Sequence, residues 1–293
     1  MAKFLIKVFI KLRLLRFLNF SISLNVKDKE IKVPLLSGTG LGNIFDDEPW
    51  MDDILSLVGS KITSGTFIDV GVNIGQTLLK VKKNFASEIF YIGFEPNPNC
   101  VNYCHKLISL NKWGENSAII PGAISNEAGL IKLYKYSTGD VDPSASIVKN
   151  FRPNQDVKEI QFVVSLKFNE VLNNLDVGVT PRIIKIDVEG AEYEVIESMS
   201  ATIDNFKPII LLEILPSYNE DNIERIKRQN KISQIFNELH YQMYRIIKST
   251  SNNYSHLIPI INNEIEVHSK IEFSDYIIIH QNDNIIDTFK FAN

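Results

Sequence analysis

The sequence predicts an α/β protein with an open, mostly parallel sheet that is covered by helices on both faces. Five short apolar, β-prone runs alternate with segments of helical spacing, which is the pattern of such sheets. Acidic residues or glycines stand at the carboxyl ends of these runs, where open α/β folds bind their ligands. With 293 residues, of which 44% are hydrophobic and 23% charged, the chain can form a substantial core.

Composition also limits the partners and the location of the protein. A formal net charge of -4 provides no concentrated basic surface, so no nucleic-acid partner is predicted. The two cysteines, Cys100 and Cys104, cannot build a disulfide framework and favour a reducing, cytoplasmic location. Together with the adjacent His105 they match no usual zinc spacing, so no metal site is predicted.

Residues 1–20 form a basic and apolar N-terminal segment, and the first acidic residue of the chain is Asp28. Charges interrupt every apolar run before it reaches the roughly 20 residues that a membrane span needs, and a secretory signal pattern is not met. Two interpretations stay open. The segment contacts the inner membrane face peripherally, or it packs on the body of the protein or on another subunit, which the pattern favours. The sequence leaves the oligomeric state open.

Residues 21–58 form a second predicted segment, and residues 59–293 form the main domain. Loose alternation of apolar residues from Ser21 to Pro34, around a charged turn at residues 27–30, predicts a small hairpin. Apolar residues at helical spacing predict a helix from Glu48 to Val58.

A glycine turn joins the first strand of the main domain to a helix that ends near Asn84, and its sequence is Asp69-Val70-Gly71-Val72-Asn73-Ile74-Gly75. Glycines allow positive φ and a close approach to a ligand, while the N-terminus of a helix favours a polar or negatively charged group. The spacing G-x-N-x-G does not meet the dinucleotide fingerprint G-x-G-x-x-G. The turn therefore predicts a site for a small cofactor.

The next two strands end in further candidate binding residues. Glu95 lies at the tip of the second strand, 26 residues after Asp69, where doubly wound folds place an acid that binds a ribose diol. A cap for the helix of residues 99–110 is the simpler alternative. The third strand, residues 117–120, is followed by Gly122, Ala123 and Ile124, and small residues there leave room for a flat base.

Carboxylates also follow the fourth and fifth strands. The fourth strand, residues 182–186, ends in Asp187 and Glu189, which can hold a cofactor amine or a substrate hydroxyl, or act as a base. Capping of the following helix is the alternative role, and Lys185 is then a pairing partner of these carboxylates. The fifth strand, residues 208–214, carries Glu213 close to its end.

The rest of the chain predicts connecting elements. Residues 130–136 and 160–165 resemble strands around a polar loop at residues 137–146, which is either a lid or an ordinary connection. An amphipathic helix is predicted at residues 221–239. Two closing strands follow, at residues 241–247 and 276–280, with a loop-rich insert between them.

Four motifs, in order and at the expected approximate spacing, resemble the FkbM family of S-adenosylmethionine-dependent methyltransferases. They are the glycine turn of residues 69–75, Gly93-Phe94-Glu95-Pro96-Asn97, Gly122-Ala123-Ile124-Ser125 and the run from Lys185 to Glu192. Two departures are Val72, where the family commonly has alanine, and Ser165-Leu166-Lys167, where it often has Thr-Leu-Asp. The resemblance implies a Rossmann-like class I methyltransferase fold, with a sheet of seven strands of which the last is antiparallel, plus an N-terminal extension.

The resemblance also implies S-adenosylmethionine as the cofactor and methyl transfer to a hydroxyl of a glycan or another polyhydroxylated metabolite. Carried over by position, Asp69, Gly71, Asn73 and Gly75 surround the amino-acid end of the cofactor. Glu95 then holds the ribose, and residues 122–124 border the adenine. For the base, Asp187 is the first candidate, Glu189 the second and Glu213 the third. Two alternatives stay open: an NAD-dependent oxidoreductase or epimerase, and a non-catalytic, membrane-tethered binding module.

Overall fold

The computed structural model describes residues 2–12, 14–26, 29–45, 48–152, 154–175 and 178–292. Its strands are β1 (Asn19–Val26), β2 (Lys29–Leu36), β3 (Gly65–Val70), β4 (Ile89–Glu95), β5 (Ser117–Pro121), β6 (Ala123–Ile124), β7 (Gly129–Lys135), β8 (Glu159–Leu166), β9 (Pro181–Ile186), β10 (Ile209–Glu213), β11 (Tyr241–Lys248), β12 (Tyr254–Pro259) and β13 (Asp275–His280). Its α-helices are α1 (Ala2–Lys11), α2 (Leu41–Ile44), α3 (Pro49–Gly59), α4 (Gln76–Asn84), α5 (Pro98–Asn111), α6 (Phe168–Asn173), α7 (Glu192–Phe206) and α8 (Ile223–Glu238).

A central sheet of eight strands runs through the described residues in the order β12-β11-β13-β10-β9-β3-β4-β5. The five strands from β10 to β5 are parallel, and the last strand of the chain, β13, is antiparallel to both of its neighbours. The predicted α/β class with a mostly parallel sheet is confirmed. Seven of these strands were predicted, and the eighth, β12, lies in the segment that was predicted to be loop-rich. It forms because residues 254–259 pair with the open edge of β11, a partner that local sequence does not reveal.

The parallel strands bring the carboxyl ends of β3, β4, β9 and β10 to one edge of the sheet. In the ladder, Asp69 lies opposite Gly93 on one side and Lys185 on the other. The turn of residues 71–75, the end of β4 and the segment after β9 therefore meet, although more than 100 residues of chain separate the first from the last.

Apolar layers cover both faces of this sheet. On one face, Phe67 of β3 packs in a cluster with Leu78 of α4, and on the other, Ile184 of β9 packs in a cluster with Val195 of α7. All four side chains are fully buried, and each such burial contributes roughly 1.5–3 kcal/mol. Burial on both faces explains why the parallel strands are continuous apolar runs without alternation.

The predicted N-terminal hairpin is formed by β1 and β2, and two residues of its predicted turn, 27 and 28, lie outside the described residues. The hairpin docks on α5, where the Asn111 side chain accepts a hydrogen bond from Lys32 N at 2.8 Å and donates one to Lys32 O at 2.7 Å. Ile6 of α1 is buried in a separate apolar cluster with residues of the hairpin. None of the helices described is long and apolar enough to cross a membrane.

A smaller sheet, in the order β6-β8-β7, contains the predicted strand pair of residues 129–135 and 159–166. β6 directly follows β5 and pairs in parallel with the end of β8. The long connection between β7 and β8 is thereby placed over the carboxyl edge of the central sheet, where it contacts the segment after β9.

Candidate active site

A cavity of about 250 Å³ opens at the carboxyl edge of the central sheet. Nine of the residues predicted from the sequence line it, and they are Gly71, Asn73, Glu95, Gly122, Ala123, Ile124, Asp187, Glu189 and Glu213. Asp69 and Gly75, which were predicted beside them, are not part of the lining. The structure therefore brings four strand ends and the glycine turn together around one space.

Gly71 is required by the packing of the chain rather than by a ligand. Its φ is +93°, and a Cβ atom at this position would lie 1.8 Å from the carbonyl oxygen of Asp187. The two segments are joined by a hydrogen bond from Asp187 N to Val70 O at 3.0 Å. Gly75, with a φ of +82°, packs closely on Leu107 of α5, to which a Cβ atom would approach within 3.1 Å. The glycines thus position the ends of β3 and β9 and the start of α4.

Glu95 is held at the end of β4 by backbone donors on both of its carboxylate oxygens. Asn73 N donates to Oε2 at 2.7 Å, and Asn97 N donates to Oε1 at 2.8 Å. Burial raises the pKa of Glu95 to about 7, although both N–H donors act in the opposite direction. Each carboxylate oxygen has further acceptor capacity, so Glu95 can still bind hydroxyl groups in the cavity.

Asp69 lies behind the wall of the cavity and is completely buried. The hydroxyl of Tyr91 donates to its Oδ2, and Lys185 Nζ lies 3.9 Å from its Oδ1. Burial raises the pKa of Asp69 to about 6, while Lys185 and Tyr91 lower it. Asp69 therefore does not contact the cavity, and it acts on it through Lys185 and through the effect of its charge on Glu95.

Lys185, which the sequence indicated only as a pairing partner, is the cation at the base of the cavity. Its side chain is 8% exposed, and its Nζ lies 2.9 Å from Asp187 Oδ2. Burial lowers the pKa of Lys185, but Asp187, Asp69 and Glu48 outweigh that effect and raise it well above its ordinary value. Lys185 therefore remains protonated and fixes the carboxylate of Asp187.

Asp187 and Glu213 form a carboxyl pair at the ends of β9 and β10. Burial opposes the charge of Asp187, but Lys185 and a hydrogen bond from Glu213 outweigh it, so the pKa of Asp187 lies below its ordinary value. The negative charge of Asp187, followed by burial, raises the pKa of Glu213 well above its ordinary value. In this pair Glu213 holds the proton and Asp187 holds the charge.

Glu189 is tied into the wall by the connection between β7 and β8. Arg152 Nη2 donates to Glu189 Oε2 at 2.6 Å, and Ser146 Oγ donates to Glu189 O at 2.6 Å. Burial and the charge of Asp187 raise the pKa of Glu189 to about 7, and Arg152 acts against them. The carboxylate of Glu189 is thus already occupied by a cation, which makes it less available to a substrate than Asp187.

The same connection forms the roof of the cavity, a role that the sequence left open. Asp142 accepts hydrogen bonds from the N–H groups of Tyr136, Ser137 and Ser144, which shapes the loop from within. The side chain of Asn97 donates to Asp140 O at 3.1 Å and anchors the loop on the start of α5. A short polar loop with two aspartates gave only a weak signal for this role, because the partners of Asp140 and Asp142 depend on tertiary contacts.

The electrostatics of the cavity favour a cationic ligand. Six acidic side chains and one basic side chain belong to its lining, and they are Glu48, Glu95, Asp142, Asp187, Glu189, Glu213 and Lys185. Within the part of the chain that the structure describes, no group of three or more His, Cys, Asp or Glu side chains is arranged to hold a metal ion.

The sequence profile of the Methyltransferase FkbM domain matches residues 69–255, which is well over half of the chain. The chain belongs to the FkbM methyltransferase family. The matched range begins at Asp69 and contains almost all of the cavity, whereas the N-terminal hairpin, α2 and Glu48 lie outside it. No curated protein matches this chain.

Solved structures of methyltransferases are similar to this FkbM family member. A methyltransferase FkbM from Methylobacillus flagellatus KT is 12% identical, with a TM-score of 0.43, over 74% of this chain and 44% of that chain. This chain thus spans less than half the length of that protein. An O-methyltransferase from Bacillus cereus in complex with SAH is 10% identical, with a TM-score of 0.44, over 80% of this chain and 81% of that chain. The O-methyltransferase TomG from Streptomyces achromogenes, in complex with SAM, is 7% identical, with a TM-score of 0.44, over 82% of this chain and 86% of that chain.

S-adenosylmethionine is the cofactor of this methyltransferase. The residues of the cavity fit its chemistry: Glu95 offers carboxylate oxygens for a diol, and Ile124 and Leu133 offer apolar contacts for a flat base. S-adenosylmethionine carries an ammonium, a sulfonium and one carboxylate, so its net charge is positive. The surplus of acidic side chains in the lining suits that charge.

Proposed function

We propose that this protein transfers a methyl group from S-adenosylmethionine to a hydroxyl oxygen of a glycan or another polyhydroxylated metabolite. The observation that carries oxygen-directed transfer is the state of Asp187, a half-buried carboxylate on the cavity whose charge Lys185 maintains. A hydroxyl must lose its proton when its oxygen is methylated, and a positioned carboxylate accepts that proton.

The proposal assigns the cofactor end of the cavity as follows. Glu95 binds the ribose hydroxyls, residues 122–124 border the adenine, and Gly71 and Asn73 lie beside the amino-acid end. Asp69 supports this end through Lys185, from which it lies 3.9 Å away, and Gly75 supports it through packing on α5.

When bound, S-adenosylmethionine supplies a methyl group that its sulfonium already activates, so the protein mainly needs to position the acceptor. Asp187 accepts the hydroxyl proton as the new C–O bond forms and the bond between the methyl carbon and sulfur breaks. A weak base suffices, because a protonated ether is a far stronger acid than a carboxylic acid. Lys185 and Glu213 orient Asp187 from two sides, and the proton that Glu213 retains keeps it from competing for the proton of the acceptor.

The preference for a polyhydroxylated acceptor is supported by the polar side of the lining. Gln76 and Thr77, at the start of α4, face the cavity together with Glu48 and Glu213. Amide, hydroxyl and carboxyl groups both donate and accept hydrogen bonds, and several such groups suit an acceptor with several hydroxyls.

Titration calorimetry with S-adenosylmethionine and with NAD tests the cofactor, and transfer of a labelled methyl group to a panel of sugars and polyols tests the reaction. We expect binding of S-adenosylmethionine, no binding of NAD, and an O-methyl signal in the product by nuclear magnetic resonance. Tight binding of NAD would favour an oxidoreductase. Methylation of nitrogen or carbon in place of oxygen would overturn the assignment of Asp187 as the base.

The proposal includes a cytoplasmic location, which the two buried free thiols support.

The proposal also includes peripheral contact with anionic lipid through α1. This helix exposes Ile10, which is 43% accessible, next to Lys7 and Lys11. We expect Ile10→Glu to reduce sedimentation with anionic vesicles. Ile261→Glu, at a position that is 81% exposed, is the matched control. Equal sedimentation of both variants would reject membrane contact.

A further inference from the structure

We infer that the acceptor carries a small apolar group, a ring or a short alkyl chain, which binds in a second cavity beside the acceptor side of the active site. This hairpin cavity lies between the N-terminal hairpin and α4, and its apolar walls are Leu24, Val26, Ile31, Ile44 and Leu79. The inference rests on the proposed function, because it names the part of the acceptor that is not methylated.

The size of the hairpin cavity suits a group of this kind. Its volume is about 180 Å³, and an apolar cavity of about 150 Å³ in a protein core is sufficient to bind benzene. Its charged members are Lys80 and the ion pair between Lys83 Nζ and Asp52 Oδ2, which are 2.7 Å apart and partly exposed. An apolar group can therefore bind between the hydrophobic walls while the ion pair remains hydrated.

Asn43 belongs to the lining of this cavity and is held in one orientation by the surrounding chain. The side chain amide donates to Ile74 O at 2.7 Å and to the Tyr103 hydroxyl at 3.2 Å, which fixes its orientation. Its Oδ1 is buried and accepts no hydrogen bond, and the residue is only 7% exposed. An unpaired buried acceptor costs about 1–3 kcal/mol. Because this oxygen is closed to solvent although the cavity is empty, it is not reached from the cavity, and the apolar walls alone hold the bound group.

Gln76 connects the hairpin cavity to the active site, because it belongs to the lining of both cavities. An acceptor with its hydroxyl near Asp187 can therefore extend past Gln76 towards the hairpin. The walls supplied by β1, β2 and α2 lie outside the range that matches the family profile. The subsite is thus built by the N-terminal extension of this chain onto α4 of the methyltransferase domain.

Two variants would fill the hairpin cavity from opposite walls. Gly42→Leu places a side chain next to the end of Gln76, whose Nε2 lies 3.2 Å from the position of a Cβ atom, and Gln76 can move because it is flexible. Val26→Phe fills the cavity from β1 and provides an answer if the first variant fails to fold. Gly114→Leu is the matched control, since a Cβ atom there would meet nothing within 4 Å.

The probe is benzyl alcohol, which has an apolar ring of the size that the cavity can hold. Binding to the full chain saturated with S-adenosylhomocysteine is measured by ligand-observed nuclear magnetic resonance. We expect millimolar binding of benzyl alcohol, at least a ten-fold loss of affinity in Gly42→Leu and Val26→Phe, and no change in Gly114→Leu. In the methyl-transfer assay, benzyl alcohol should compete with the acceptor and not with S-adenosylmethionine.

Failure of benzyl alcohol to bind the unaltered chain, or equal binding by all variants, would overturn the hairpin cavity as a ligand site. Inhibition that does not compete with the acceptor would overturn its role as an acceptor subsite. Neither result touches the proposed function, which fails separately if S-adenosylmethionine does not bind or if no methyl group is transferred.

Discussion

The two ends of the active-site cavity hold their carboxylates in opposite ways. Glu95, at the end of β4, is fixed by two backbone N–H groups, and burial raises its pKa to about 7. Asp187, at the end of β9, is fixed by the ammonium of Lys185, and its pKa is lowered. Neutral donors orient a carboxylate without fully compensating its burial, whereas a buried cation keeps it charged. Acids at equivalent strand ends therefore acquire different roles from their partners. Glu95 is suited to bind a ligand, and Asp187 is suited to accept a proton.

The largest expected effect is on turnover at the Asp187 end. Asp187→Asn should retain binding of S-adenosylmethionine and lose about 10²–10⁴-fold in kcat, because the amide cannot take up a proton. Calorimetry and steady-state kinetics on the true acceptor measure the two quantities. Asp204→Asn, on the exposed side of α7, is the control for loss of one charge. An unchanged kcat in Asp187→Asn would remove Asp187 from the role of base.

The second effect concerns the cation that distinguishes the two ends. Lys185→Met leaves the buried carboxylate of Asp69 without its neighbouring charge, and breaking a buried pair costs about 3–5 kcal/mol. Urea unfolding should show that the free energy of unfolding of Lys185→Met is lower by this amount. Combining it with Asp69→Asn should recover part of the loss, because no buried charge then remains at that position. Lys227→Met, which breaks an exposed pair with Glu224, should cost no more than about 1 kcal/mol. Equal losses of stability in Lys185→Met and Lys227→Met would mean that Lys185 is not a buried counter-charge.

The third prediction tests the Glu95 end through the pH dependence of cofactor affinity. A raised pKa means that the protonated form of Glu95 gains population as the pH falls through about 7. Protonation removes acceptor capacity for the ribose, so the Kd for S-adenosylmethionine should rise below that pH. Glu95→Gln should weaken binding by about 10-fold or more, in line with the loss of a charged hydrogen bond. The affinity of Glu95→Gln for S-adenosylmethionine should also change by no more than about the experimental error between pH 6 and 8, because the titrating carboxyl group is absent. A pH dependence that survives in Glu95→Gln would assign the titration to another group.

The smallest effect is expected at Glu189, which shares features with both ends: its pKa is raised, as for Glu95, and it is paired with a cation, as Asp187 is. Arg152→Met should release Glu189 and loosen the roof loop, since the pair is partly exposed and worth up to about 1 kcal/mol. We expect KM for the acceptor to rise about two- to five-fold with little change in kcat. Lys158→Met, in an exposed pair with Asp156, is the matched control and should leave KM unchanged. A large fall in kcat for Arg152→Met would instead place Glu189 in the chemical step.

The sequence by itself determined the α/β class, the order of the parallel strands along the chain, and the motifs that mark the FkbM family. Apolar runs of the right length and acids or glycines at their ends suffice for this, because strand formation and strand-end ligand binding depend on local pattern. The tertiary structure alone decided which strand-end residues face the cavity. Asp69 and Glu95 both follow apolar runs, yet the register of β3 between β4 and β9 places Asp69 behind the wall and next to Lys185.

The tertiary structure alone also decided which groups shift the pKa values of the site and where the second cavity lies. The sequence indicated Lys185 only as a partner of the carboxylates that follow it, and its contact with Asp69 exists only because β3 and β9 are neighbours in the sheet. β12 and the walls of the hairpin cavity likewise depend on partners that are distant in sequence. Local pattern specifies elements, whereas pKa values, charge pairs and cavities depend on distances between elements, and only the folded chain determines those distances.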